Sequence, residues 1–327
     1  MKKEILVERF FESPLLTPAD VDWVRENYPK KDWGVLNCGV LFDKKDNHYK
    51  MLFRGGAGAF ADVGFAESED GINWQALKEK PVLKHSDNNF WNEYCRRGIE
   101  DPRIVKWIDD YYYVFATACS EPDPATRVTG RVGIWRTRNF LDFKLIAIPF
   151  EWEDKDASIF PEPINDWAYL IHRRSPHIWI SRTKDMTLKS GWQDSQILSS
   201  KDDWYKSPIT GNTSVKIGIA GPPIKTPKGW LLIVHVVHEK GENMFNRVYS
   251  LGFMVLDLQN PIKIKYIYPA PILWPTEKYE IMGAVPVVCF SNATVDPGAA
   301  ALYIYYGGAD AVICGGRLYK KDLPMCY

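Results

Sequence analysis

The sequence carries no excess charge: 41 lysines and arginines balance 41 aspartates and glutamates, a net charge of zero with histidine neutral. Nucleic acid and anionic membrane surfaces both call for a clustered basic excess, so neither is expected as a partner. Long hydrophobic runs are also missing. The apolar stretch Ile5-Leu6-Val7 is cut by Glu8 and Arg9, too short for a signal-peptide core, and no later run approaches the roughly 18 residues of a membrane span. The expectation is a cytoplasmic protein. The six cysteines, Cys38, Cys95, Cys119, Cys289, Cys314 and Cys326, make no C-x-x-C pair and have no histidine at ligand spacing, which argues against a disulfide framework and against zinc. His235 and His238, three apart on a strand-like run, would face opposite sides, so no metal site is expected there. No serine or cysteine sits in a nucleophile-elbow sequence. The run Gly55-Gly56-Ala57-Gly58 is followed by no helix pattern, which argues against a nucleotide-phosphate loop and leaves a flexible loop at the mouth of a site. Linkers and low-complexity stretches are absent as well, so one architecture should run through all 327 residues.

What is abundant is aromatic and turn-forming residues: 13 Trp, 17 Tyr and 15 Phe beside 23 Gly and 22 Pro. This balance favours strands and, where exposed, sugar-stacking platforms. Five apolar octets resemble one another, at residues 49–56, 111–118, 167–174, 229–236 and 302–309. Each is preceded by a polar turn and a short strand-like run, at 36–42, 101–105, 160–164, 221–224 and 283–290, and most are followed by a third run. Repeats of this length built of short strands predict an all-β, five-bladed β-propeller over residues 33–327, with two β-sandwich domains as the alternative. Residues 1–32 are expected to form an extension packing on the propeller, with Thr17 capping a short helix that opens at Pro18. Prolines in or beside the first run of each unit suit an edge strand lining a central channel.

Channel-facing candidates are then Glu100, Asp101, Glu162 and Asp310 among carboxylates, and Arg54, Arg103, Lys155, Arg173, Arg174 and Lys216 among cations. Asn37, Asp101, Glu162 and Asp310 are expected to open on the same end of the propeller. The phrases Gly98-Ile-Glu-Asp-Pro-Arg103, Phe160-Pro-Glu-Pro-Ile164, Lys216-Ile-Gly218 with Gly221-Pro-Pro-Ile224, Tyr249-Ser-Leu-Gly252 and Tyr305-Tyr-Gly-Gly-Ala-Asp310 resemble, in order, glycoside hydrolase family 130, the β-mannoside phosphorylases and their relatives. The resemblance runs from about Asn37 to the end of the chain. It implies a five-bladed propeller that cleaves a terminal β-mannosidic bond with inversion, using inorganic phosphate as co-substrate and no other cofactor, to give α-mannose 1-phosphate. It further implies Asp101 as the general acid, acting through a hydroxyl of the bound mannose. Arg173, Lys216 and Tyr249 would hold phosphate, as would Lys155 at a position where Arg is common; Asn37, Arg54, Asp310, His235 and Glu162 would surround the mannose. The partner is a β-mannoside oligosaccharide, and assembly into a homo-oligomer is left open. An inverting hydrolase with Glu162 as base is the nearest rival, and a non-catalytic sugar-binding propeller a more distant one.

Overall fold

Each of the five apolar octets is the second strand of an antiparallel sheet, and each sheet is one blade. These properties come from a computed structural model that describes residues 6–58, 60–85, 92–239 and 247–327. Blade one is built from Val35–Asp43, His48–Gly55, Asp62–Ser68 and Gln75–Ala76, paired in that order. Blade two runs Gly98–Lys106, Tyr112–Cys119, Gly130–Thr137, Lys144–Ala147, and blade three Lys155–Ile159, Ala168–Arg174, His177–Thr183, Gln193–Ser199. Blade four is Ser214–Ile219, Gly229–Glu239, Arg247–Leu256 and Ile264–Ile267, with the short Ile224–Thr226 added alongside Gly229–Glu239. In blade five, Cys289–Val295, Ala301–Gly308 and Val312–Tyr319 are joined at the outer edge by Glu8–Arg9.

The apolar alternation of these strands is satisfied between blades. Five hydrophobic clusters occupy the five seams: Leu52 with Val114, for instance, between blades one and two, and Phe115 with Leu170 between two and three. All six cysteines are buried free thiols in or beside these seams.

Three expectations are corrected here. The first strands of blades three and four are Lys155–Ile159 and Ser214–Ile219, several residues upstream of the expected 160–164 and 221–224. The proline-rich phrases after them are the turns that leave the channel, because proline cannot donate to a ladder. In blade five the strand covers residues 289–295, where a turn was expected. The N-terminal segment is also more than an extension. Residues 8 and 9 pair with Arg317 and Gly316 and supply the fourth strand of the last blade. Thr17 does cap a turn, a single 3-10 turn at Pro18–Asp20, and Asp22–Asn27 follows as α-helix.

The glycine run after Arg54 is a packing seam, in place of the flexible mouth loop expected. A Cβ on Gly55 would lie 2.1 Å from the Trp23 ring, and one on Gly58 would lie 2.5 Å from the Asp32 carboxylate carbon. Gly55→Ala should therefore lever the N-terminal helix off blade one and lower stability by about 1–3 kcal/mol. A urea denaturation midpoint unchanged from wild type would show that Trp23 has room to move.

Candidate active site

In blades one, two and three the first strand starts at the channel mouth and slips register almost at once, between Leu36 and Gly39, Glu100 and Arg103, and Lys155 and Ser158. The residue inside each slip is left-handed: Asn37 at φ 47°, Asp101 at 55° and Asp156 at 47°. Asn and Asp tolerate that conformation better than other side chains, and a bulge re-aims the residue it carries. Three blades thereby present an amide or carboxylate toward one axis. The second strand of each blade returns to the same end, so Arg54 and Arg173 arrive beside them, paired with Leu36 and Lys155.

One cavity opens there, and its chemistry divides by blade. Blades five, one and two contribute Asp310, Asn37, Arg54, Glu100 and Asp101. The Asn37 amide donates to Asp101 Oδ1 at 2.9 Å, while Arg54 lies 3.5 Å from the same oxygen and 3.1 Å from Glu100 Oε1. Burial pushes the Asp101 carboxyl above its usual range; Arg54 opposes this and the neighbouring Glu100 adds to it. Glu100 is partly buried, yet Arg54 and Lys155 hold it below its usual range. Adjacent carboxyls with separated proton affinities are the arrangement in which one keeps a proton to donate. Burial likewise raises Asp310 to about 6, with Asp101 and Glu100 contributing and Arg54 opposing.

Blades three and four contribute Lys155, Arg173, Lys216, Arg247 and Tyr249. Behind them, Asp156 gathers three partners: Arg173 Nη1 at 2.7 Å, Arg103 Nη2 at 3.1 Å and His235 Nε2 at 3.0 Å. Burial opposes its ionisation, but Arg173, Arg103 and His235 together hold it well below the ordinary aspartate range. Gly218 makes room for this cluster, since a Cβ there would stand 2.3 Å from both the Asp156 carboxylate and the His235 ring. Lys216, with Nζ 5.5 Å from the centre of the Tyr249 ring, has its pKa lowered to about 7 by burial and by the nearby cations Arg173, Arg247 and Lys155, against an opposing pull from Asp156. Cations outnumber anions in this half, so the site lacks a counter-ion that a multiply charged ligand would supply.

The structure thus brings together Asn37, Arg54, Glu100, Asp101, Lys155, Arg173, Lys216, Tyr249 and Asp310, and leaves four candidates out. Glu162 is a correction: its residue is in the turn beyond the outer end of Lys155–Ile159, 46% exposed, paired with Lys225 and absent from the cavity wall. It can neither contact a sugar in this cavity nor serve as a base there. His235 is fully buried beneath the cavity, held between Asp156 and the Phe290 ring at 4.3 Å between ring centres. It positions Asp156 and Arg173; it does not line the sugar site. Arg174, a candidate cation, stacks over Trp152 and Trp179, and Arg103 is fully buried below the site. Sequence reasoning missed Asp156 and Arg247. The same 17-residue interval separates Asn37 from Arg54 and Asp156 from Arg173, and Arg247 stands two residues before Tyr249, on the same face of a strand. Either spacing would have revealed them.

A hydrogen-bonded chain of Asp154, His172 and Ser181 resembles a hydrolase triad, with His172 Nδ1 2.6 Å from Asp154 and Nε2 2.9 Å from Ser181 Oγ. All three are buried within blade three, so no substrate carbonyl reaches the hydroxyl and the chain serves to lock strands together.

A five-bladed propeller with a proton-holding acid and a cationic cluster on one axial cavity is the layout of a glycoside-cleaving enzyme that takes an oxyanion. The sequence model of the glycoside hydrolase family 130, described as beta-1,4-mannooligosaccharide phosphorylase, matches residues 8–323, and the chain belongs to that family. It is 34% identical to the 1,2-beta-oligomannan phosphorylase of Thermoanaerobacter sp. (strain X514), covering 98% of this chain and 100% of that one. It is 32% identical to the beta-1,2-mannobiose phosphorylase of the same organism, over 96% of this chain and 97% of the relative. The solved beta-1,2-mannobiose phosphorylase of Listeria innocua, in complex with beta-1,2-mannobiose, superimposes with a TM-score of 0.77 at 25% identity, covering 97% of each chain.

Proposed function

We propose that this protein is an inverting phosphorylase of β-1,2-linked mannosides, working in the cytoplasm, where its buried thiols stay reduced. It is a glycoside phosphorylase acting on β-mannosides. The observation that carries the reading is the division of a single cavity into an acidic half and a cationic half. The terminal mannose sits against Asn37, Arg54 and Asp310, and phosphate against Lys155, Arg173, Lys216, Arg247 and Tyr249. A phosphate oxygen attacks the anomeric carbon from the face opposite the leaving sugar, and the glycosidic C–O bond breaks. Asp101 gives its proton to the departing oxygen through a hydroxyl of the bound mannose. Phosphate enters already ionised, so the reaction needs no general base and no further cofactor, and one catalytic carboxyl suffices. The β-1,2 preference rests on the two relatives matched over 100% and 97% of their length. Glu162, the candidate base of the rival hydrolase reading, lies outside the cavity.

The test is incubation with β-1,2-mannobiose and β-1,4-mannobiose, each with and without phosphate. Mannose 1-phosphate should form only with phosphate, and faster from the β-1,2 isomer. Free mannose released at the same rate in both conditions would overturn phosphorolysis.

A pH experiment isolates Lys216. Its ammonium is charged below about 7 and neutral above, so an anion that itself does not titrate should bind progressively less well as pH rises. Sulfate, assayed as a competitive inhibitor against phosphate, is expected to lose affinity between pH 6 and 8. In Lys216→Arg, whose charge persists, that loss should vanish. An identical sulfate profile in the two proteins would remove Lys216 from the anion site.

A further inference from the structure

A second cavity lies beside blade one, and no residue of the catalytic machinery lines it. Its walls are Tyr28, Asp32, Phe60, Asp62, Lys84 and His85, and its volume of about 580 Å³ falls within the ~300–1,000 Å³ of small-molecule sites. At its base is a buried carboxylate. Asp62, 2% exposed, accepts hydrogen bonds from Tyr28 Oη at 2.8 Å, from the His85 backbone N–H at 2.8 Å and from His85 Nδ1 at 2.7 Å. One side chain therefore fixes two rings contributed by distant parts of the chain, the N-terminal segment and the run after blade one. The Phe60 ring, 46% exposed, stands 5.6 Å from that of His85 at 30°. Because Asp62 engages Nδ1, Nε2 is the His85 nitrogen left for a ligand. Rigid rings bordered by Asp32 and Lys84 offer apolar faces together with both donors and acceptors. Such a set matches a pyranose, which presents C–H faces and hydroxyls that donate and accept.

Arg54 and Gly56 link this cavity to the active site. Arg54 reaches Glu100 at 3.1 Å through Nη2 while its Nε donates to the Gly56 carbonyl at 3.2 Å. Gly56 in turn packs against the Tyr28 ring and the Phe60 carbonyl. On the other side, Gly34 lies against the Asp310 backbone carbonyl, two residues from Asp32. Gly56 thus connects Arg54, on the catalytic cavity, with Tyr28 and Phe60, on the second.

We infer that this cavity is a distal carbohydrate subsite, holding mannosyl units of the substrate's leaving chain beyond the unit next to the scissile bond. The inference rests on the mannoside reading above and adds a chain-length preference to it. Oligosaccharides long enough to span both cavities gain contacts that a disaccharide never makes, so the enzyme selects longer chains and loses hold of them once they are trimmed.

Calorimetric titration of the intact protein without phosphate tests this directly, using β-1,2-mannobiose and β-1,2-mannotetraose as probes. The tetrasaccharide is expected to bind at least about tenfold tighter, and Phe60→Ala should abolish most of that margin while changing mannobiose affinity less than about twofold. Phe60 is exposed, so the variant keeps its fold, and unchanged phosphorolysis of mannobiose checks this. Equal affinities for the two lengths, or a tetrasaccharide margin that survives Phe60→Ala, would overturn the subsite while leaving phosphorolysis of mannobiose intact. Binding of neither probe would overturn both readings, and release of free mannose in the calorimeter would strike phosphorolysis alone.

Discussion

Asp101→Asn is expected to lower kcat for phosphorolysis by about 10² to 10⁴, the contribution of a positioned proton donor. The amide keeps the size of the carboxyl, and its oxygen still accepts from Asn37 Nδ2, now 2.9 Å from Asp101 Oδ1, so KM for the mannoside should move much less than kcat. Three features single out this residue. Its left-handed bulge aims it into the cavity, burial raises its affinity for the proton, and Glu100 beside it is held ionised and cannot compete as donor. Steady-state assays of mannose 1-phosphate formation give the answer. Turnover within tenfold of wild type would transfer the acid role to another carboxyl, with Asp310, raised to about 6, as the next to examine.

The second large effect is on folding. Asp156 is the single carboxylate among Arg103, Arg173 and His235, and both it and Arg103 are buried. Asp156→Ala leaves the Arg103 guanidinium without its ionic partner in a site that water does not reach, and breaking a buried pair from one side costs about 3–5 kcal/mol. That is a large part of the ~5–15 kcal/mol that holds a typical domain together. The variant should unfold at markedly lower urea concentration, and Asp156→Asn, which keeps one acceptor, should recover part of the loss. In Asp156→Asn the phosphate KM should also rise, because Arg173 loses the anchor that holds its guanidinium at the cavity. A denaturation midpoint in Asp156→Ala matching wild type would mean that the Ala220, Ile219 and Asp101 carbonyls, which also accept from Arg103, suffice alone.

The repeat was readable because every second strand is apolar for eight or so residues, whatever its surroundings, and a run such as Gly229–Glu239 announces itself. Inner strands are harder to read. Lys155–Ile159 and Ser214–Ile219 are short and carry the polar residues that a channel needs, so their pattern resembles a turn, and the proline-rich turns that follow resemble strands. Glu162 was misplaced for that reason alone. A first strand that begins at the cavity carries its later residues away from it at roughly 3.3 Å each, and Glu162 lies seven positions after Lys155. Asp156 was legible only through its 17-residue interval to Arg173, since locally an aspartate after a lysine looks like any solvated pair. The second cavity was not legible at all: Tyr28, Phe60, Asp62 and His85 fall on separate segments, and nothing local signals that one carboxylate will join them.

The strand Glu8–Arg9 belongs to the sheet of Arg317 and Gly316, and this sets a schedule for the nascent chain. At roughly 5–20 residues per second, about fifteen seconds to a minute pass between synthesis of the first partner and emergence of the second. Blades one to four can assemble on the ribosome as their strands appear, but the fifth remains a three-stranded sheet with an open edge until the earliest part of the chain folds back onto it. During that interval Glu8–Arg9 has no partner strand, and once Val312–Tyr319 emerges its edge is open to pairing with a neighbouring chain until Glu8–Arg9 docks on it. The Arg9 guanidinium, seated on Glu280 at 2.7 Å, is then the latch that ends the wait, and the final step of folding is a docking event between the two ends of the propeller.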